Sequence, residues 1–314
     1  MKILLCVLLI LTLFFIGDYH IYHSVFCYPL KQHPGEYDIP DSQLYHPYRE
    51  KMKNCIDDMQ SIPFMELHVT SKDGKKLYGK LYRFHADAPL IIFFHGYHGR
   101  AEWDGYGIFR ICKTHGINLL MVDQRAHGNS AGNAITFGIR ERFDCKAWAD
   151  YAAKNLAENA DIFLAGVSMG ASSVMMASEL KLPGNVRGII SDCGYTSPKA
   201  IICRMIRQMH LPVAPAYFLT RLGACIFGHI NLEAASALDA VKKSQLPILF
   251  IHGKKDSVVP IAMNDELYQN CSGKKDRLLV DHADHANCSM TDYDAYEAAV
   301  LRFIERSSYA ISIL

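Results

Sequence analysis

The sequence predicts a doubly wound, mostly parallel α/β sheet carrying an inserted helical cap. Three observations predict it. Short apolar runs with the composition of buried strands alternate with longer helix-forming stretches from Leu90 onward, the rhythm of a sheet with helices on both faces. One of these runs, Leu164-Ala165-Gly166-Val167-Ser168-Met169-Gly170, breaks into Gly-x-Ser-x-Gly and passes at once into a small-residue helical segment. The stretch between Ser191 and Leu246 is too long for a plain crossover and rich in apolar residues.

Composition narrows the classes. The chain has 314 residues, half of them hydrophobic, enough for one large α/β domain. Lys plus Arg number 33 against 32 Asp plus Glu, and no basic run exceeds a lysine pair such as Lys254-Lys255 or Lys274-Lys275. A nucleic-acid partner and a polybasic membrane patch are therefore not expected. Ten cysteines are scattered without Cys-x-x-Cys spacing and read as free, mostly buried thiols, which sits awkwardly with an oxidising compartment.

In chain order, residues 1–28 read as a membrane anchor or signal segment outside the fold. Lys2 is followed by the uninterrupted apolar run Ile3 to Ile16, then Asp18 and the aromatic residues Tyr19, Tyr22, Phe26 and Tyr28. No small-x-small cleavage site follows, so an uncleaved anchor is favoured, with interfacial aromatics and the Lys2 charge inside. The catalytic domain is then extracytoplasmic; the alternative is secretion after cleavage. The segment is expected to be dispensable for catalysis. Residues 29–62 read as a polar linker with Pro34, Pro40 and Pro47 and a short helix around Tyr48 to Met59.

The domain proper spans 63–308. Glu66 to Thr70 and Lys76 to Phe84 alternate in character around Asp73-Gly74, as in an antiparallel hairpin. Strands are expected at Leu90 to Phe94, Asn118 to Val122, Asp161 to Val167, Val186 to Ser191, Leu246 to Ile251 and Arg277 to Val280. Helices are expected near Glu102 to His115, Arg140 to Asn155, Met169 to Leu180, Ile261 to Asn270 and Asp292 to Arg306. The cap falls at about 195–243, and its Met205, Ile206, Met209, Leu211 and Phe218 are expected to line an apolar substrate pocket.

The chemistry centres on Ser168. A serine at the tip of a strained strand-to-helix turn needs room on either side, which Gly166 and Gly170 supply; the plain alternative is a glycine-flanked serine in an ordinary turn. A serine hydroxyl is a poor nucleophile, so it needs a histidine to take its proton, an acid to orient that histidine and backbone donors for the oxyanion. Asp256 follows the penultimate strand, at the carboxyl edge where sites of parallel sheets form, and is the expected acid, with Asp192 in reserve. After the last strand, Asp281-His282-Ala283-Asp284-His285 offers two histidines; His285 is the expected base because the longer loop lets it reach back over the sheet, and His282 stays open. The loop His95-Gly96-Tyr97 after the first parallel strand and the residue after the nucleophile give Tyr97 and Met169 as backbone N–H donors.

Taken together, His95-Gly96, Asp123 to Ser130, Gly166-Val167-Ser168-Met169-Gly170, His252-Gly253 with Asp256 and Val259-Pro260, and His285 resemble the α/β-hydrolase superfamily. The branch of serine aminopeptidases and monoacylglycerol lipases is most similar, as are membrane-anchored hydrolases of Gram-positive bacteria, with Phe137 to Asp144 and Ser191 to Thr196 in the corresponding places. The resemblance implies the α/β-hydrolase fold from about Phe64 to Phe303, a Ser168-Asp256-His285 triad, and a structural Arg/Asp-braced turn at Asp123 to Ser130. His282 departs from the small residue usual at its place.

The leading expectation is a serine esterase acting through an acyl-enzyme on small-molecule or lipid-like esters with short to medium apolar acyl chains, without metal or cofactor. An aminopeptidase with the same triad comes second; it needs an acid near the substrate amine, for which Glu233 and Asp239 are candidates. A binding protein that keeps the fold without the activity is third.

Overall fold

A computed structural model describes residues 2–27, Tyr37, Ile39 and 45–308. The linker residues Pro34 and Pro40, and Tyr28, lie outside the described residues. Helix α1 (Lys2–Phe26) comes first, then a 3-10 turn (His46–Tyr48) running into α2 (Arg49–Ser61). The hairpin of β1 (Met65–Thr70) and β2 (Lys76–Tyr82) follows, turning through Gly74 at φ +78°. Next come β3 (Leu90–Phe94), α3 (Ala101–Asp104), α4 (Tyr106–His115), β4 (Asn118–Asp123), α5 (Glu141–Asn155), β5 (Ile162–Val167), α6 (Met169–Ala177) and β6 (Val186–Asp192). The cap is α7 (Pro198–Gln208), α8 (Val213–Gly228) and α9 (Ala237–Lys243). The chain closes with β7 (Ile248–Gly253), α10 (Ile261–Asn270), β8 (Lys275–Val280), α11 (Cys288–Thr291) and α12 (Tyr293–Ser307).

The eight strands form one sheet in the order β1-β2-β4-β3-β5-β6-β7-β8. β1 and β2 are antiparallel; from β4 to β8 every pairing is parallel. The order of β3 and β4 reverses the chain's direction of travel across the sheet, so β5, with Ser168 at its end, lies next to β3. Strand alternation divides the core. Phe93, Phe163, Ile190 and Leu249 point to the face covered by α2, α4 and α12, whereas Ile92, Phe94, Leu164, Ile189 and Phe250 meet Trp148, Met175 and Leu267 on the other.

The helix expected over Glu102 to His115 is broken at Gly105, where the backbone passes so close to Ala101 and β3 that a side chain would meet the Phe93 ring at 3.2 Å. Helix α6 stops three residues short of Leu180, where the Ser178 hydroxyl donates to the Met175 carbonyl at 2.7 Å.

The N-terminal helix corrects an expectation. Residues 1–28 are not wholly outside the fold: Tyr22 and Phe26 are buried in a third core cluster with cap residues Ile202, Ile206, Tyr217 and Ala224, and Asp18 is buried beside Gly223. The physical reason is a stripe. Tyr19, Tyr22 and Phe26 recur at helical spacing, so all three face one way. Tyr19 and Tyr22 meet Phe227 of α8, and Gly223 gives α1 room to approach, its absent Cβ falling 3.1 Å from that of Tyr22. Of the aromatics read as membrane-interface residues, Tyr22 and Phe26 are packing residues, and Tyr19 packs on Phe227 while half exposed. The exposed residues Leu5, Val7, Leu8, Leu9, Leu11 and Leu13 to Ile16 keep the other character, and Leu5–Phe26 is long and apolar enough to cross a membrane.

The Asp123 to Ser130 turn is held from within. The Arg125 guanidinium lies between Asp144, at 2.6 and 2.7 Å, and Asp73, at 3.1 Å. Asp123 accepts from the Asn129 N–H, and Ser130 links the Asp123 carbonyl to the Tyr78 N–H. Arg125→Ala is expected to leave the Asp144 carboxylate buried without its partner and to lower stability by about 3–5 kcal/mol. Urea unfolding measures it; a loss under about 1 kcal/mol would mean the turn is held by something else.

Candidate active site

The elbow begins with geometry that only glycines allow. A side chain at Gly166 would run into the Gly170 backbone, and one at Gly170 into the Phe94 carbonyl, so α6 starts flush against β3 and β5. Between them Ser168 adopts φ 53°, ψ −111°, a strained conformation for a residue with a side chain. Its N–H is pinned to the Asp192 carbonyl at 2.8 Å, which fixes the turn to the end of β6. The Ser168 hydroxyl stands free of the helix it opens.

His285 comes to it from the far end of the sheet. Its Nε2 lies 2.9 Å from Ser168 Oγ and its Nδ1 2.8 Å from Asp256 Oδ2. Asp256 is fixed in turn: its other oxygen accepts from the Val258 and Val259 N–H groups at 2.9 and 2.7 Å. Burial works to lower the His285 pKa, and the Asp256 hydrogen bond and charge outweigh it, so the imidazole is raised above its ordinary value. His282 is exposed on the turn at φ 64°, and makes no part of this chain of contacts. Asp192 is buried below the histidine, and burial pushes its carboxyl up to about 7. Cys193, Asp256 and His285 also bring ligand-type atoms within 4.8 Å of one another; a metal there would have to break the His285–Asp256 hydrogen bond.

The loop after β3 passes over the serine. A Cβ on Gly96 would sit 3.4 Å from that of Ser168. His95 lies beneath the loop: its Nε2 accepts from the Gln124 N–H, so its Nδ1–H donates to the Gly96 carbonyl, and burial pushes its pKa down to about 4. Asp104 accepts from the Gly96 N–H at 2.6 Å, which holds the loop from above. Among the described residues neither the Tyr97 N–H nor the Met169 N–H is donated to a protein acceptor.

A cavity of about 190 Å³ opens on Ser168 and His285, walled by Tyr45, Tyr97, His98, Trp103, Asp104 and Ala286. The cap residues expected to line it do not. Met209, Leu211 and Phe218 are 66, 47 and 53 % exposed, Phe218 on the wall of a separate hollow with Arg221 and Leu222. Ile206 is buried in the third cluster and Met205 packs against it. Ile206 and Met205 are spent on the cluster that α1 joins, the other three face solvent, and the pocket is closed instead by residues ahead of the first strand and in the loop after β3. Glu233 is exposed and occupied by Lys199 and Arg221, and Asp239 is bonded to Ser236. The acid that does face the cavity is Asp104, whose pKa burial raises to about 6 against the pull of the Gly96 N–H and His285.

The fold is that of the α/β-hydrolases, and the arrangement resembles that of serine hydrolases. The chain matches the family model described as serine aminopeptidase, S33, over residues 86–222, and that described as serine hydrolase (FSH1) over residues 163–286. YqkD of Bacillus subtilis is 24 % identical over 191 residues, 60 % of this chain and 63 % of YqkD's own length. YfhR of Salmonella typhimurium is 24 % identical over 284 residues, 85 % of this chain and 86 % of YfhR. Among solved structures, the Pyrococcus furiosus esterase Pf2001 superposes with a TM-score of 0.66 at 20 % identity, covering 90 % of this chain and 98 % of the esterase, a likeness of fold.

Proposed function

We propose that the protein hydrolyses carboxylic esters with short acyl groups through an acyl-enzyme. The observation that carries the reading is the unbroken chain from Ser168 Oγ through His285 to Asp256 at 2.9 and 2.8 Å, set on a strained elbow beneath two undonated N–H groups. Ser168 attacks the ester carbonyl while His285 Nε2 takes its proton. The Tyr97 and Met169 N–H groups receive the oxyanion, and Asp256 steadies the imidazolium. Collapse expels the alcohol, which takes the proton from His285; water, activated by the same nitrogen, then frees the acid. Every proton has a protein group to move to, so the scheme calls on neither metal nor cofactor.

The cavity supports short acyl groups. At about 190 Å³ it falls below the range of pockets that enclose drug-sized ligands. Its Tyr45 and Trp103 walls reward each buried methylene by up to about 0.8 kcal/mol until the space is filled. A panel of p-nitrophenyl esters from acetate to decanoate, run beside aminoacyl amides, tests this. The specificity constant is expected to rise from acetate over the first few carbons and then fall. Rates flat or falling from acetate onward, together with efficient amide cleavage, would favour the peptidase.

One observation favours a second reading, in which the substrate carries a protonated amine. The Asp104 carboxylate faces the cavity between aromatic walls, where a cation finds both a counter-charge and ring faces. On that reading Asp104→Asn, which can still accept from Gly96, lowers aminoacyl turnover and spares butyrate.

For location, the proposal is a membrane-anchored enzyme. The apolar run from Leu5 to Ile16 enters the bilayer, and the Lys2 charge keeps the N-terminus inside, leaving the catalytic domain on the extracytoplasmic side. The burial of Tyr22 and Phe26 favours an uncleaved helix over secretion after cleavage. Small-molecule esters, including lipid-like ones, are the proposed partners.

A further inference from the structure

The last turn of α1 touches the loop that covers the nucleophile. A helix leaves its final carbonyls without intrahelical partners. Here two of them are filled by the hydrolase domain: the Tyr97 hydroxyl donates to the Val25 carbonyl at 2.9 Å, and the Ile135 N–H to the Phe26 carbonyl at 2.7 Å. Cys27 then pairs with Ala134 as an isolated antiparallel bridge. The Phe26 ring, wholly buried, meets Phe137 edge-on at 5.7 Å, and Phe137 stacks on Tyr97 at 5.1 Å and 21°.

The far side of this stack is rigid. Phe137 sits at φ 53° in a turn whose Thr136 and Gly138 N–H groups are both held by the Glu141 carboxylate at 2.8 Å. Arg140 ties the same turn to the end of α8 through the Gly228 carbonyl at 2.8 Å. Tyr97 is therefore gripped at its hydroxyl by α1 and along its ring by Phe137, whose own packing partner is Phe26. Its backbone N–H is the one that the proposed mechanism uses.

We infer that the C-terminal turn of α1 is a positioning element of the active site, holding Tyr97 so that its N–H faces the oxyanion, and that the helix which anchors the protein also sets its catalytic competence. The inference rests on the hydrolase reading above, through the role given to the Tyr97 N–H. It replaces the expectation that residues 1–28 are dispensable. The path runs from Phe26 through Phe137 to the Tyr97 ring, and in parallel from Val25 to the Tyr97 hydroxyl. A displaced donor costs rate rather than affinity, because the oxyanion exists only in the transition state.

The test uses the full chain in detergent micelles, with wild type, Phe26→Ala, Tyr97→Phe and the double variant. Tyr97→Phe deletes one hydroxyl and keeps the backbone N–H, so it stays informative where Phe26→Ala fails to fold. Butyrate-ester kcat and KM, the rate of fluorophosphonate inactivation and Tm are measured, with kinetics run well below each Tm. Each single variant is expected to lower kcat and the inactivation rate about 10-fold while KM stays within about twofold. The double variant is expected to be no worse than the poorer single one, since both act through Tyr97. A fall in Tm with kcat unchanged would make the contact merely structural and overturn the inference, as would effects on kcat that simply multiply. A wild-type protein that neither turns over butyrate esters nor takes the probe would overturn the hydrolase reading first, and the two failures are thereby told apart.

Discussion

Ser168→Ala is expected to abolish ester hydrolysis and fluorophosphonate labelling, with kcat down by about 10⁶-fold, while the protein stays folded. The loss is that large because, among the described residues, Ser168 carries the hydroxyl that hydrogen-bonds His285. Ser172 donates to the Tyr195 carbonyl and Ser173 to the Met169 carbonyl, both buried inside α6. Alanine retains the backbone N–H that binds the Asp192 carbonyl, so the elbow should keep its shape, although the strain at φ 53° remains. Intact-mass measurement after probe treatment and circular dichroism on the same sample decide it. Undiminished labelling of the alanine variant would remove Ser168 from the mechanism.

The second large effect separates the two partners of the serine. His285→Ala should cost nearly as much as losing Ser168, whereas Asp256→Asn should cost about 10⁴-fold, because the acid orients and stabilises but does not carry the proton. The pH profile adds a signature. The base acts as neutral imidazole, and the Asp256 contact raises its pKa above the ordinary 6.5, so wild-type kcat/KM should fall as pH drops through that raised value. Asp256→Asn removes the largest raising influence and leaves burial, which lowers the pKa, opposed only by the smaller pull of Asp104 and Asp192, so the acid limb should move to lower pH. An inactive His282→Ala beside an active His285→Ala would reassign the base, and an active Asp256→Ala would pass the acid's role to Asp192.

Much of the fold is legible because its signals are local. Each parallel strand inside the sheet is a short, largely apolar run buried on both faces, such as Leu90 to Phe94, whereas the edge strand β8 is charged and half-buried. The elbow is legible in part for the same reason: Gly166 answers a crowding against the backbone of Gly170 and Ala171 a few residues on, whereas Gly170 answers the Phe94 carbonyl of the neighbouring strand. The pocket was not legible. Its walls come from Tyr45, the Tyr97 to Asp104 loop and Ala286, three places brought together only by the order of the sheet. Trp103-Asp104, eight residues after His95-Gly96, was the available hint. The role of α1 was hidden differently: Tyr19, Tyr22 and Phe26 suit a membrane interface and a protein interface equally, and only the glycine at 223 on a distant helix decides between them. The stripe itself, with no polar residue on its face below Asp18, was the signal that could have raised the question.

The cysteines bear on where such a protein can work. Cys55, Cys112, Cys145, Cys193, Cys271 and Cys288 are buried, and burial pushes each thiol up, Cys55 to about 12. The thiolate is the form that reacts with oxidants and disulfides, and at neutral pH these side chains hold almost none of it. Of the exposed pair, Cys6 lies within the apolar run of α1 and Cys225 stands alone on α8. A reagent in the surrounding medium therefore meets Cys225 and, in part, Cys27 and Cys203, while the interior sulfurs behave as small apolar groups that fill space. The cysteines are thus a weak argument against oxidising surroundings: the folded chain withholds six of the ten from redox chemistry by packing, and needs no cross-link to do so.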